Sequence, residues 1–526
     1  MIKVTLLVLY FATMLAIGFA CRRRARDVAG FVLGGRSVGP WLTAFAYGTS
    51  YFSAVVFVGY AGQFGWRYGI SATWAGIGNA LIGSLLAWAV LGRRTRIMTQ
   101  HLDSATMPDF FGKRFGSPSL KIAAAVIIFV FLIPYTASLY NGLSRLFGMA
   151  FSIDYAWCIV FMSVLTAIYV IAGGYMATAI NDFIQGMIML GGIAAVVWAI
   201  LSANGGLLAS IDALARVEGP SMLPGGDSTP GVFTSFLGPE PLNLMFVVLL
   251  TSLGTWGLPQ MVQKFYAITN EGAIKKGTVI STLFAFIVAG GCYFLGGFGR
   301  LYAKVLDVGE NGLPAGGFDA IIPKMLEGLS PMLLALVVVL VLSASMSTLS
   351  SLVMTSSSTF TIDFINGAVV KKMSDRRQVL CIRILVVVFI AISAVLALAQ
   401  YKSTSPIAFI AQMMGVSWGA MAGAFLAPFL YALYSRKVTA ASCWVCFIAA
   451  PVFTLVCVFC NDSMPAILKS PINTGVIAML GGLVAVPVIN IFTRKPPKEI
   501  VDGSFACYDK TTVVPQATAL GADSIR

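Results

Sequence analysis

Charged residues are scarce in this sequence. They make up 11% of its 526 residues, whereas hydrophobic residues make up 58%. Ordinary soluble domains carry about 25% charged residues, so this composition excludes an ordinary soluble protein. The chain has a single histidine, His101, and no Walker A pattern, which leaves ATP-driven chemistry within the chain without support. Mean hydropathy of +0.87 instead predicts a polytopic membrane protein that lies in a lipid bilayer.

The basic residues do not form one basic face. The net charge of +14 is distributed over short clusters between apolar runs, such as CRRRAR, LGRRTR and YSRK, so nucleic-acid binding is not expected. One set of alternate connections between the runs holds 23 of the 35 Lys and Arg, and the other set, with the N-terminus, holds 7. Because cytoplasmic loops of membrane proteins are enriched in Lys and Arg, we expect a protein of the cell membrane whose N-terminus lies outside and whose C-terminus lies in the cytoplasm.

Thirteen apolar runs are long enough to cross the hydrocarbon core of a bilayer. We expect them to be helices, because lone strands cannot satisfy their backbone groups in lipid. The sequence therefore predicts an all-α, polytopic protein with about 13 transmembrane helices. The runs lie near residues 4–20, 40–63, 71–92, 120–149, 155–173, 178–202, 241–264, 278–302, 331–355, 378–400, 405–433, 439–460 and 474–492.

Two of these runs carry helix-weakening residues in the middle of the membrane. The second contains Gly48, and the seventh contains Gly254, Gly257 and Pro259. The seventh run comes five runs after the second, as expected for a 5+5 inverted repeat whose first helices are interrupted, although ordinary kinked helices are the alternative. The predicted organisation is an extra span and basic loop at 1–38, a first repeat at 39–202, an external loop at 203–240, a second repeat at 241–434, two further spans at 435–492 and a disordered cytoplasmic tail at 493–526.

One acidic residue, Asp182, falls inside a predicted span, where a carboxylate costs at least ~2.5 kcal/mol. The ninth run carries twelve hydroxyls between residues 343 and 361. Ser347, Ser350 and Ser351 share one helix face at the depth of Asp182. A carboxylate with several hydroxyls suits a hard monovalent cation, which prefers oxygen ligands. Two alternatives remain open, namely an interfacial Asp182 paired with a basic loop and hydroxyls that bond to their own helix.

Four stretches resemble the sodium:solute symporter family. They are FVLGGRSVGPWLTAFAYGTSYFSAVVFVG, IAGGYMATAINDFIQG at 171–186, GLPQMVQKFYA at 257–267 and SASMSTLSSLVMTSSS at 343–358. The resemblance implies a LeuT-type fold with extra flanking helices. It also implies a transporter rather than an enzyme, which imports a small organic solute with Na⁺ by alternating access. A proton-coupled transporter of the same fold and, further away, a cation channel are the alternatives. The oligomeric state is left open, with a monomer possible.

The resemblance also implies the sodium ligands. A first sodium site would use backbone carbonyls of Thr49, Phe52 and Ala344 with the hydroxyls of Ser347 and Thr348. Some family members bind a second sodium nearer the cytoplasm. The matching positions here all carry oxygen side chains, so two sodium ions are expected. That second site would consist of Asp182, Ser347, Ser350 and Ser351.

The solute is less well defined by the resemblance. The proline permeases carry an aspartate where this chain has Tyr51 and a tryptophan where it has Val55. The stretch SYFSA at 50–54 is closer to the TYISA of pantothenate-type members. We therefore expect either a pantothenate-like monocarboxylate or an amino acid such as proline. The predicted pocket residues, each of which could equally be core packing, are Ser53, Val56, Tyr135, Thr251, Trp256 and Gln412.

Overall fold

The computed structural model describes residues 2–151, 154–219, 229–309, 312–314, 316–370, 373–401 and 410–509, and this part of the chain is almost entirely helical. Its strands are β1 (Glu218–Gly219) and β2 (Thr229–Pro230), paired antiparallel. The α-helices are α1 (Ile2–Cys21), α2 (Val28–Leu33), α3 (Pro40–Tyr51), α4 (Ala61–Tyr68), α5 (Thr73–Gly78), α6 (Arg93–His101), α7 (Met107–Phe115), α8 (Pro118–Phe151), α9 (Tyr155–Ala203), α10 (Leu207–Ala215), α11 (Pro241–Ser252), α12 (Pro259–Ala267), α13 (Glu271–Gly296), α14 (Ile321–Glu327), α15 (Pro331–Thr359), α16 (Asp375–Tyr401), α17 (Ile410–Tyr434), α18 (Ala440–Phe459), α19 (Pro471–Phe492) and α20 (Lys498–Asp509). Segments of π-helix at Val55–Tyr60, Asn79–Leu86, Trp88–Gly92 and Phe360–Val369 continue several of them.

Ten helices in the described part of the chain are long and apolar enough to cross a membrane, or eleven when the bent pair α11 and α12 is taken as one span. The difference from thirteen arises where predicted spans run together. Residues 155–173 and 178–202 both lie in α9, where the non-helical Gly174 divides them, and Val55–His101 crosses another predicted boundary at Gly69, which is also non-helical with φ 62° and ψ −141°. The number thirteen therefore stays a prediction, while a multi-pass, all-helical membrane architecture is confirmed.

The helix α9 turns sharply at Gly174, which joins the two spans predicted there. Its φ of 58° and ψ of −156° leave the helical region and lie where a side chain would be strained. A Cβ atom at this position would also lie 3.0 Å from the Phe31 carbonyl oxygen of α2. Glycine at 174 thus allows the chain to change direction close to α2.

Both helices predicted to be interrupted are broken in the structure. After α3, Phe52 adopts an extended conformation with φ −86° and ψ 112°. After α11 and a short 3-10 turn, Leu258 adopts φ −86° and ψ 119°, and α12 leaves at an angle of 47°. The second break falls immediately before Pro259, because the residue before a proline is driven towards extended geometry.

Helices α4 and α13 cross with almost no space between their backbones. A Cβ atom on Gly65 of α4 would lie 1.9 Å from the Gly296 carbonyl oxygen, and one on Gly296 would lie 2.1 Å from the carbonyl oxygen of Ala61. Both distances are well inside van der Waals contact. The two glycines therefore let the segment after the first break pack directly against α13.

The C-terminal segment differs from the sequence prediction, which assigns disorder from residue 493. Lys498–Asp509 forms α20, an amphipathic helix that packs on the basic side of the molecule. Its Asp502 pairs with Arg436 at 2.9 Å, and the Tyr508 hydroxyl donates to the Arg94 carbonyl oxygen at 3.0 Å. Residues 510–526 lie outside the described part of the chain. For residues 498–509 the prediction is wrong, because the polar composition conceals one apolar helix face that other elements cover. For residues 510–526 it stays a prediction.

A buried arginine supports that packing. Arg114 in α7 donates to the carbonyl oxygens of Ala432 and Ser435 at 3.2 and 3.1 Å, and the ring of Phe505 from α20 lies 4.8 Å from its guanidinium carbon. Burial lowers the pKa of Arg114 to about 10, which leaves it cationic at neutral pH. It therefore ties α7, the end of α17 and α20 together.

Helical structure continues past the predicted exit of the ninth span, through Phe360–Val369. As a result, a second acidic residue, Asp363, is buried within a candidate span. Its carboxylate accepts from Thr106 at 2.6 Å and lies 3.2 Å from the Lys121 ammonium. Asp182 is thus not the one acidic residue buried in a candidate span. Asp363, however, has its partners Thr106 and Lys121 at the basic end of the molecule.

Candidate functional site

Five residues predicted to bind the first sodium converge where α3 ends beside α15. The Thr348 hydroxyl lies 3.0 Å from the Thr49 carbonyl oxygen and 3.3 Å from that of Phe52. The Ser347 hydroxyl lies 3.3 Å from the same Thr49 oxygen. Both hydroxyls lie 3.1 Å from the Ala344 carbonyl oxygen. All five residues are buried.

Local structure explains this arrangement. The last carbonyls of a helix have no donor in a following turn, and the extended Phe52 ends α3 in the interior of the protein. The C-terminal end of a helix also carries partial negative charge, which favours a cation. Ser347 and Thr348 are neighbours on the face of α15 that crosses this end.

The donor set fits sodium. It consists of three carbonyl oxygens and two hydroxyls, and each hydroxyl can rotate to offer a lone pair. Hard cations prefer oxygen ligands, and a set without a formal charge suits a monovalent ion better than a divalent one. No group of three or more His, Cys, Asp or Glu that could hold a metal occurs among the described residues.

The second predicted cluster contains a residue that sequence reasoning did not assign to it. Asp182 is fully buried in α9, and its carboxylate oxygens make no hydrogen bond within the described part of the chain. Lys264 of α12 is 3% exposed, and its ammonium lies 4.0 Å from Asp182 Oδ2. The same ammonium donates to the Ser351 hydroxyl at 3.0 Å. Lys264 therefore links the acidic residue to the hydroxyl stripe of α15.

The cluster also reaches the first site. Ser351 Oγ lies 2.8 Å from Ser50 Oγ, and Ser50 is adjacent to Thr49 at the end of α3. Ser350 instead donates to the carbonyl oxygen of Ser347, within its own helix. Asp182 is therefore connected to this face of α15 by Lys264, which contacts both Asp182 and Ser351. The Ser350 hydroxyl bonds within its own helix, which is the alternative that the sequence left open for these hydroxyls.

A signal for Lys264 was present in the sequence. The residue lies in GLPQMVQKFYA, one of the four stretches that carry the family resemblance, and inside a predicted span. A lysine within a membrane span is expensive and usually has a partner, just as an aspartate does. Five Lys and Arg lie inside the predicted spans, however, so the sequence makes Lys264 a candidate partner of Asp182 without selecting it from the other four.

Several buried polar atoms near the first break have no partner. Tyr135 of α8 packs edge-on against Trp418 of α17, with ring centroids 5.9 Å apart. The Tyr135 hydroxyl, the Trp418 indole N–H and the Tyr60 hydroxyl make no hydrogen bond within the described residues. Buried polar atoms are nearly always satisfied, so a bound molecule or water would complete them. Tyr60 and Trp418 were not among the predicted pocket residues, whereas Tyr135 was.

Other predicted pocket residues are engaged by the protein itself. The Thr251 hydroxyl donates to the Val247 carbonyl oxygen at 2.8 Å, and the Trp256 indole N–H donates to that of Ile82 at 3.0 Å. Val56 is buried within the π-helical segment. At the break itself, the Ser53 hydroxyl accepts from the backbone N–H of Val55 at 3.2 Å.

Gln412, the remaining predicted pocket residue, lines a cavity of about 250 Å³. Val247, one helical turn from Thr251, also lines it. Two of the lining side chains, Arg67 and Lys469, are cationic, and none of the described lining residues is acidic. The polar side chains of the cavity are Gln63, Arg67, Tyr68, Asn243, Gln412, Lys469, Ser470 and Asn473.

Broken helices that meet a hydroxyl-rich helix, beside polar groups that have no partner among the described residues, are typical of a secondary transporter coupled to a cation. The chain belongs to the sodium:solute symporter family, whose model matches residues 31–449. It is a sodium-coupled symporter that works by alternating access.

Known relatives cover nearly the whole chain. An osmoregulated proline transporter, OpuE, of Bacillus subtilis is 27% identical over 93% of this chain and 94% of its own length. Sodium/proline symporter 2 of Staphylococcus saprophyticus is 26% identical over 96% and 94%. A solved structure of a substrate-bound, outward-open Na⁺-coupled sialic acid symporter matches with a TM-score of 0.76 and 18% identity, over 94% of this chain and 98% of that one. This last likeness shows the fold, which is of the LeuT type.

Proposed function

We propose that the chain imports a small, carboxylate-bearing solute together with Na⁺ bound by Thr49, Phe52, Ala344, Ser347 and Thr348. The observation that carries the sodium assignment is the Thr348 hydroxyl, which lies within 3.0–3.3 Å of the carbonyl oxygens of Thr49 and Phe52 at the end of α3 and of Ala344 in its own helix. A cation at that point would hold α3 and α15 together and would order the broken segment beside the unpartnered groups at Tyr60, Tyr135 and Trp418.

The proposed topology has an external N-terminus, with the cavity that contains Gln412 at the external surface. The distribution of Lys and Arg supports this orientation. We also propose a 5+5 inverted repeat over 39–202 and 241–434. Its support is the closely matching backbone geometry at Phe52 and Leu258, each placed in the first helix of its proposed repeat.

The charge of the cavity supports a carboxylate on the solute. Arg67 and Lys469 line it, and the nearby Glu240, which accepts from the lining Asn243 at 2.7 Å, offsets one of these two charges. The remaining excess of positive charge would favour anionic or zwitterionic molecules. Proline and pantothenate both carry a carboxylate. The names of the relatives favour proline, while Tyr51 and Val55 depart from the proline permeases and favour a monocarboxylate.

The solute class is tested with purified protein in detergent. We expect proline or pantothenate to raise the melting temperature in NaCl and not in choline chloride, because sodium orders the solute site. Glucose, which has no carboxylate, is the control and should have no effect. Stabilisation that persists equally in choline chloride would contradict sodium-dependent solute binding, and stabilisation by glucose alone would contradict the solute class.

Neutralising the cavity cations should weaken solute capture. We expect Arg67→Gln or Lys469→Gln to raise the KM for the stabilising solute about threefold to fivefold, which is the effect of about 1 kcal/mol expected for one solvated charge. The kcat should hold, since these side chains lie at the entrance. Arg216→Gln removes an exposed charge that does not line the cavity and is the matched control. Equal KM values for all three variants would contradict a steering role.

A further inference from the structure

We propose that the Lys264 ammonium is the resident cation of the Asp182 cluster, so that the chain binds a single sodium where its sequence alone predicts two. This inference rests on the proposed first sodium site and defines the ion stoichiometry of the same machinery. The Lys264 ammonium, which belongs to the protein, contacts two of the four groups predicted to hold the second ion, Asp182 and Ser351.

The position of Lys264 is that of a bound cation. Its ammonium donates to the Ser351 hydroxyl at 3.0 Å, lies 4.0 Å from Asp182 Oδ2 and lies 5.2 Å from the centre of the Tyr175 ring. A carboxylate, a hydroxyl and an aromatic face are the partners that a desolvated monovalent cation seeks. The side chain is 4% exposed, so bulk water does not replace these partners.

Charge balance argues against a second ion beside it. Among the ion pairs of the described residues, Lys264 is the partner of Asp182. A sodium bound by the same carboxylate and by Ser351 would place two positive charges within a few ångströms of each other against one negative charge. In a buried site of low dielectric constant that repulsion is strong.

The serine hydroxyls near Lys264 already make hydrogen bonds within the protein. Ser50 donates to the Ala46 carbonyl oxygen of its own helix, so the Ser351 proton is the one that bridges to Ser50. Ser351 then accepts from Lys264 with one of its two lone pairs. The Ser350 hydroxyl donates to the Ser347 carbonyl oxygen. With the ammonium in place the Ser350 and Ser351 hydroxyls are engaged within the protein, whereas the Asp182 carboxylate has the 4.0 Å ion pair and no hydrogen bond within the described residues.

The alternative is that Lys264 is only a structural partner of Asp182 and that sodium binds beside it. Counting bound sodium on the purified, full-length protein separates the two ideas and needs no solute. The probe is radioactive Na⁺ alone, measured by scintillation proximity at saturation, with thermal stability of each variant as a folding control.

We expect one sodium per wild-type chain, and clearly less than one at the same concentration for Thr348→Ala, because its sodium affinity should fall about 10- to 100-fold. Lys264→Met removes the resident charge, and we expect it to bind two sodium ions. Lys264→Arg keeps the charge and should bind one. The double variant Lys264→Met/Asp182→Asn should return to one, because the vacated cluster then lacks its carboxylate.

Two sodium ions per wild-type chain, or one in a folded Lys264→Met, would overturn the inference while leaving the first site intact. No sodium bound to the wild type would overturn the proposed sodium site itself, and the inference with it.

Thermal stability gives a second test that does not depend on whether Lys264→Met folds. Asp182→Asn strands a buried ammonium and should lower the melting temperature more than the double variant does, and equal values would contradict the pairing.

Discussion

We expect Thr348→Ala to raise the sodium concentration for half-maximal uptake about 10- to 100-fold. The Thr348 hydroxyl lies within 3.3 Å of carbonyl oxygens from Thr49, Phe52 and Ala344, so it is the most central of the predicted ligands. Hydrogen bonds to charged groups contribute about 1.5–3 kcal/mol, and a hydroxyl on a buried cation should contribute similarly. Each 1.4 kcal/mol corresponds to a tenfold change in affinity.

Ser345→Ala is the matched control for this measurement. Ser345 lies on the same helix, is equally buried, and donates only to the Val341 carbonyl oxygen at 2.8 Å. Its removal should leave the sodium dependence of solute uptake in proteoliposomes unchanged. A Thr348→Ala variant with wild-type sodium dependence, or a Ser345→Ala variant with the same loss, would contradict the assignment of the first site.

The second large effect concerns the crossing of α4 and α13. We expect Gly296→Ala to destabilise the protein by on the order of 3 kcal/mol or more, because its Cβ atom would meet the Ala61 carbonyl oxygen at 2.1 Å and backbone must move. The segment that would shift follows the first helix break, so uptake should fall together with stability. Thermal unfolding followed by size-exclusion chromatography in detergent measures the effect.

Gly290→Ala supplies the control on the same helix. A Cβ atom there would meet nothing within 4 Å, so the substitution should be tolerated or slightly stabilising through the better helix propensity of alanine. If Gly296→Ala were as stable as Gly290→Ala, the close packing of α4 on α13 would be wrong.

Much of the candidate site was predictable because its determinants are local. Pro259 and the glycines around it weaken the seventh span wherever that span lies, and the break at Leu258 follows directly. The spacing of Ser347, Ser350 and Ser351 places them on one helix face without any tertiary information. The membrane class follows from composition alone.

Other features depend on how distant elements meet, and the sequence patterns did not contain them. The direction of the long Lys264 side chain depends on how α12 crosses α15 and α9. The helix α20 depends on a surface formed by Arg94, Arg114 and Arg436, which are far from it in sequence. The burial of Asp363 follows from helix continuing where polar residues suggested a loop.

The lysine in the Asp182 cluster has a consequence for how steeply the transporter can concentrate its cargo. A charge fixed to the chain returns with it in every cycle and delivers no net electrical work, whereas each imported ion gains ~2.3 kcal/mol per 100 mV. With a neutral solute, one ion then supports an accumulation of about 50-fold from voltage alone, and two ions would support about 2,500-fold. With Lys264 in place, the transporter would reach a lower solute accumulation but would import half as many sodium ions per solute molecule.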